Sequence, residues 1–125
     1  MTTFHAVVWM DHTEAHVLMF DKEHVEAQRV KARSHHTPKH GHVGADKDFF
    51  KQIAEALQGV REVLLTGPAN AKIEFRDFCK HNAHTVDKAV VDVVTSDHPT
   101  DAQVVAMARQ YFTKFDNTAA DPSRR

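Results

Sequence analysis

The 125-residue chain is 42% hydrophobic and 26% charged, the composition of one ordinary globular domain. Its 16 Lys+Arg against 17 Asp+Glu give a formal charge of -1, which argues against a basic coat for DNA; its single cysteine excludes an internal disulfide and a cysteine-built zinc ribbon. No apolar run approaches the roughly 18 residues of a membrane span, and residues 1–5 lack the layout of a signal peptide, so a cytoplasmic protein without a membrane partner is expected.

Residues 4–10 are β-prone and nearly all apolar, which suits a central strand covered on both faces. Asp11-His12-Thr13 reads as a turn into a second strand over 14–20. A short polar turn at 21–23 leads to a third strand over 24–32, where Val25, Ala27, Val30 and Ala32 interleave with polar residues. Links this short make the three strands an antiparallel meander. Residues 33–45 hold Pro38, Gly41 and Gly44 and have no periodicity. A structureless loop longer than about 12 residues in a compact domain is usually functional or disordered.

From Asp46, a candidate N-cap, the period changes to that of a helix, with Phe49, Phe50, Ile53, Ala54 and Leu57 on one stripe and Gly59 at its end. Residues 61–66 predict a fourth strand entering Gly67-Pro68-Ala69-Asn70. A second helix is expected over about 71–82, burying Ile73 or Phe75 with Phe78 and Cys79. Residues 86–94 read as a fifth strand, stopped by Ser96-Asp97-His98-Pro99. Thr100 and Gln103 have capping-box spacing, and a third helix runs to about 115 with Val104, Ala108, Tyr111 and Phe115 on one face. Residues 116–125 are expected to fray, leaving a single domain over 1–115.

The predicted order is β-β-β-α-β-α-β-α. A meander followed by two right-handed crossovers gives an α/β, five-stranded mixed sheet of order 3-2-1-4-5, the ribonuclease H-like arrangement. In open α/β sheets, ligands gather beyond the carboxyl ends of parallel strands. Asp11 and His12, Gly67 with Lys72, and Asp97 with His98 are therefore the candidate sheet-edge binding residues. The plainer roles are hairpin closure for Asp11 and helix capping for Asp97. Gly67-Pro68 before a helix, with Lys72, also fits a weak phosphate cradle, although Pro68 removes one donor. A two-metal nuclease needs clustered carboxylates. Asp11 and Glu55 are candidates, but the fourth strand ends in Thr66-Gly67 where another acid is required. No catalytic residue is assigned and an enzyme is not expected, with a hydrolase at the Asp11/Asp97 edge kept as an alternative.

Four histidines, His35, His36, His40 and His42, crowd the long loop. With Arg33 and Lys39 they make a candidate contact for RNA or the ribosome, because imidazoles stack on bases and gain charge near pH 6.5. The alternative is a zinc, nickel or copper site on the same four histidines, although they lack the order of a structural zinc site. No resident cofactor is required, and a homodimer is left open.

Three segments carry a family resemblance. Ala6-Val7-Val8-Trp9-Met10-Asp11-His12-Thr13-Glu14-Ala15, Leu64-Leu65-Thr66-Gly67-Pro68-Ala69-Asn70-Ala71-Lys72-Ile73-Glu74-Phe75 and Thr95-Ser96-Asp97-His98-Pro99-Thr100-Asp101-Ala102-Gln103 resemble the short bacterial proteins called translational machinery proteins. That family is similar to the middle domain of archaeal and eukaryotic peptide-chain release factors and of Pelota. The resemblance implies a ribonuclease H-like fold and a role in translation. In release factors the loop after the third strand carries Gly-Gly-Gln, which promotes peptidyl-tRNA hydrolysis. Here that place reads His40-Gly41-His42-Val43-Gly44-Ala45-Asp46, and Gly-Gly-Gln occurs nowhere in the chain. An accessory factor without release chemistry is the expectation.

Overall fold

The computed structural model describes residues 5–21, 23–32 and 47–120. Its elements are β1 (His5–Met10), β2 (Glu14–Phe20), β3 (Val25–Lys31), α1 (Lys47–Ala56), β4 (Glu62–Gly67), α2 (Ala71–Asn82), α3 (His84–Ala89), β5 (Val90–Thr95) and α4 (Asp101–Ala120). The strands form one mixed sheet of order β3-β2-β1-β4-β5, as predicted. β1 and β2 pair antiparallel from His5↔Phe20 to Met10↔Ala15, and β2 pairs antiparallel with β3. β4 lies parallel to β1, and β5 lies parallel to β4 with a register shift between Val63 and Leu64.

The central position of β1 explains its composition. Ala6, Val8 and Met10 face a core filled by Phe50, Ile53, Phe75 and Cys79, while Val7 and Trp9 face a second core built on Val104, Val105, Ala108 and Phe112. Both faces are dry, so the strand has no polar alternation. The helices α1 to α3 cover one face, and α4 covers the other.

The α1 stripe of Phe49, Phe50, Ile53 and Ala54 is buried as expected, with Leu57 just beyond it. Gly59 follows in the left-handed region at φ +88°, which suits the end of a helix. On α2 the two alternatives resolve to Phe75, which is fully buried, while Ile73 is 55% exposed. The capping box is present in full: Thr100 N–H donates to Gln103 Oε1 at 2.9 Å, and Gln103 N–H donates to Thr100 Oγ1 at 3.1 Å.

Two boundaries differ from the predicted ones. The fifth strand was expected over 86–94, but residues 84–89 form α3 and only Val90–Thr95 pair with β4. Val86 and Ala89 are both buried, and their spacing of three is helical. A short apolar run fits both periods, and here packing selects the helix. The terminal helix also continues to Ala120, past the predicted end near 115. Its buried face is Val104, Val105, Ala108 and Phe112, with Tyr111 half-buried. Asp46, loop 33–45, the Phe115 side chain and residues 121–125 lie outside what is described.

Candidate functional site

Parallel pairing of β1, β4 and β5 brings three chain ends to one edge of the sheet. Asp11 follows β1, Gly67 ends β4, and Ser96, Asp97 and His98 follow β5. The Trp9 indole Nε1–H donates to the Asp97 backbone carbonyl at 2.7 Å, and its ring lies 5.0 Å from that of His98. The two Asp-His pairs thus share one end of the sheet, on strands either side of β4.

Asp11 serves the hairpin. Its Oδ1 accepts from the Thr13 N–H at 2.8 Å, the Thr13 hydroxyl at 2.8 Å and the Glu14 N–H at 2.9 Å. Partial burial pushes its pKa up, but those hydrogen bonds and the nearby His98 outweigh it and hold the group below its ordinary 3.8. His12 is exposed and its Nε2 lies 3.2 Å from Glu74 Oε1 on α2.

Gly67 is the tightest point of the edge. It sits at φ +150°, and a Cβ there would lie 2.0 Å from the Met10 carbonyl oxygen. No other residue lets β4 approach β1 at this position. Beneath it, buried Thr66 donates from Oγ1 to Ser96 Oγ at 2.8 Å, and the Ser96 N–H donates to the Gly67 carbonyl at 3.0 Å. These bonds tie the β5 exit to the β4 exit.

Lys72 is only 3% exposed, and its Nζ donates to the Ala69 carbonyl. Burial pushes its pKa down. The lysine locks the 67–70 turn to the first turn of α2 and does not extend into solvent beside Asp11 or Asp97. Its burial follows from position: Lys72, Phe75 and Cys79 fall on one helical stripe.

His16 was missed by sequence reasoning. Its Nδ1 lies 2.6 Å from Asp101 Oδ1 at the start of α4, and its Nε2 lies 3.6 Å from Glu14 Oε1. Its ring is 5.5 Å from that of Trp9. A polar residue on the face shared with Leu18 and Phe20 was the available signal. Glu55, the second nuclease candidate, instead lines a groove with Gln58 and Phe78. Among the described residues, no group of three or more His, Cys, Asp or Glu is arranged to hold a metal ion. The carboxylate cluster that two-metal chemistry requires is not assembled on these residues.

Loop 33–45, with Arg33, His35, His36, Lys39, His40 and His42, lies outside the described residues, but its departure point is fixed. The Ala32 N–H donates to the Thr13 carbonyl at 2.8 Å, so the chain leaves β3 beside the Asp11 turn.

No protein-family model and no curated sequence matches this chain. Solved structures do. Pelota from Archaeoglobus fulgidus superimposes with a TM-score of 0.64 at 15% identity, over 95% of this chain and 37% of that one. The archaeal translation termination factor aRF1 gives 0.57 at 16% identity, over 93% and 41%. The fold is that of Pelota and aRF1. Dom34 of S. cerevisiae, a translation termination-like factor involved in RNA quality control pathways and interacting with Hbs1, gives 0.54 at 14% identity, over 98% and 34%. The chain spans well under half the length of each. The fold implied by the three resembling segments is therefore borne out, and the likeness covers 95% of this chain for Pelota and 93% for aRF1.

Proposed function

We propose that this protein is a translation-associated accessory factor of the cytoplasm that contacts the ribosome or RNA through loop 33–45 and performs no peptide-release chemistry. The observation that carries this reading is the fold shared with Pelota, with the archaeal translation termination factor aRF1 and with the translation termination-like factor Dom34. The loop leaves β3 at the sheet end where Asp11, His12, Gly67, Asp97 and His98 meet. Lys72 holds the 67–70 turn at that same end of the sheet. Arg33, His35, His36, Lys39, His40 and His42 supply the cationic and stacking groups that RNA contact uses. Gly-Gly-Gln is absent from the chain, and that supports an accessory role over a hydrolytic one.

Sedimentation of the purified protein with ribosomes, with and without chelator, tests the reading. Expected is a ribosome-bound fraction that falls with added salt and survives chelator, since phosphate contacts are salt-dependent. Absence from the ribosomal pellet and from RNA would overturn it. Binding abolished by chelator alone would favour a metal site on His35, His36, His40 and His42.

A further inference from the structure

Among the described residues β3 pairs only with β2, because it ends the order β3-β2-β1-β4-β5. Its outer edge has a definite hydrogen-bonding parity. The Ala32 N–H donates to the Thr13 carbonyl and the Asp21 N–H donates to the His24 carbonyl, so the even-numbered residues bond to β2. The N–H and C=O groups of Val25, Ala27, Arg29 and Lys31 therefore point away from the sheet. The strand is seven residues long, holds no proline and keeps an unbroken register with β2. Every side chain in it except Val30 is exposed, Val25 to 45%. Natural edges of this length are ordinarily shortened, bulged or broken by proline, because they template pairing with another strand.

The charges on the edge select the strand that fits it. Glu23 and Glu26 stand at its start, Arg29 and Lys31 at its end. Parallel pairing with a like strand sets acid on acid and base on base. Antiparallel pairing sets each end against its opposite, and β3 itself is such a strand. A two-fold axis normal to the sheet requires one residue to lie opposite its own copy, since opposed side chains share a face. Centred on Glu26 or on Arg29, the pairing opposes two like charges. Centred on Gln28, it sets Glu26 against Val30 and opposes no charges of opposite sign. Centred on Ala27, it opposes two alanines, lays the Arg29 stem over the second copy's Val25 and brings Glu23 level with the second copy's Lys31. The two Ala27 residues then exchange both backbone bonds, as do Val25 and the second copy's Arg29. The charges thus deter the neighbouring registers and favour this one.

We propose that the outer edge of β3 is an interface between two copies of this chain, which pair antiparallel about Ala27 and join their sheets into one. The contact is distinct from loop 33–45 and goes beyond the function proposed above. A single strand-to-strand contact is small, so the dimer is a weak one that forms and parts reversibly.

Sedimentation equilibrium of the full-length protein at rising concentration tests the proposal, with circular dichroism to verify that each variant folds. Expected is a reversible monomer–dimer equilibrium. Ala27→Pro removes the central outward N–H but no bond to β2, and it weakens the dimer about tenfold or more. Lys31→Glu sets Glu23 against a second glutamate and also weakens the dimer; adding Glu23→Lys restores it. Both variants carry the same change opposite Glu14 on β2, so the rescue reads the contact between copies. Cys79 is buried, which leaves an introduced thiol as the reactive one. Ala27→Cys forms an interchain disulfide on mild oxidation and Arg29→Cys does not, because only residue 27 meets its own copy within disulfide reach. Changing His35, His36, His40 and His42 to alanine leaves the dimer intact. A protein that stays monomeric up to about 1 mM, a dimer unaffected by both Ala27→Pro and Lys31→Glu, cross-linking through residue 29 in preference to 27, or a dimer lost in the loop variant would overturn the proposal.

Discussion

Gly67 shows how one residue sets the site. The approach of β4 to β1 leaves 2.0 Å between the Met10 carbonyl oxygen and the place a Cβ would occupy. Gly67→Ala must therefore push the strands apart as well as adopt an unfavourable φ, and the expected cost in urea unfolding exceeds about 3 kcal/mol. Gly59→Ala is the control. Gly59 also has positive φ, at +88°, but open space around it, so only the backbone penalty of about 1 kcal/mol applies. Equal losses in the two variants would contradict the close approach. Cys79 makes a second case. Burial, helped by Asp87, pushes its thiol from 9.0 to about 12. The folded protein should resist iodoacetamide at pH 8 and react once unfolded. Because the folded pKa is the higher one, its contribution to stability is whole below pH 9 and is lost as pH rises toward 12. Asp11 has the opposite sign. Its folded pKa lies below 3.8, so its contribution is present above that value and is lost as pH falls through the folded pKa.

At the scale of elements, local chemistry was legible wherever it had one solution. The links Asp11–Thr13 and 21–23 are too short for anything but antiparallel neighbours, and the observed order β3-β2-β1-β4-β5 follows. The Thr100–Gln103 capping box was equally unambiguous. Thr100→Ala should cost about 1 kcal/mol in thermal or urea unfolding, and a neutral effect would show that α4 is held by tertiary packing alone. Residues 84–89 were not legible, because Val86 and Ala89 satisfy strand and helix patterns over so short a run. His16 was hidden for another reason. Its partner Asp101 stands far along the chain and is brought near only when α4 packs over β2. Lys72 looked like a free cation at a strand end, yet its stripe with Phe75 and Cys79 commits it to the interior. Tertiary placement, which no local pattern reports, decided both.

For the whole molecule, the fold of Pelota and aRF1 is built here around two dry cores on either side of one sheet. Without Gly-Gly-Gln, the purified protein should release no peptide from peptidyl-tRNA in the presence of ribosomes. Release above background would return hydrolytic chemistry to the account. In the function proposed above loop 33–45 carries the contact, and its histidines would make that contact pH-dependent, because unperturbed imidazole gains its proton below about pH 6.5. Replacing four loop histidines should leave stability within about 0.5 kcal/mol of the parent if the loop contributes nothing to the core. The decisive measurement is ribosome co-sedimentation of the parent and of the variant with His35, His36, His40 and His42 changed to alanine, at pH 6.0 and at pH 7.5. The expected result is a folded variant that binds more weakly than the parent, with the larger deficit at pH 6.0. A folded variant that pellets with ribosomes as strongly as the parent at both pH values would contradict the loop as the contact element.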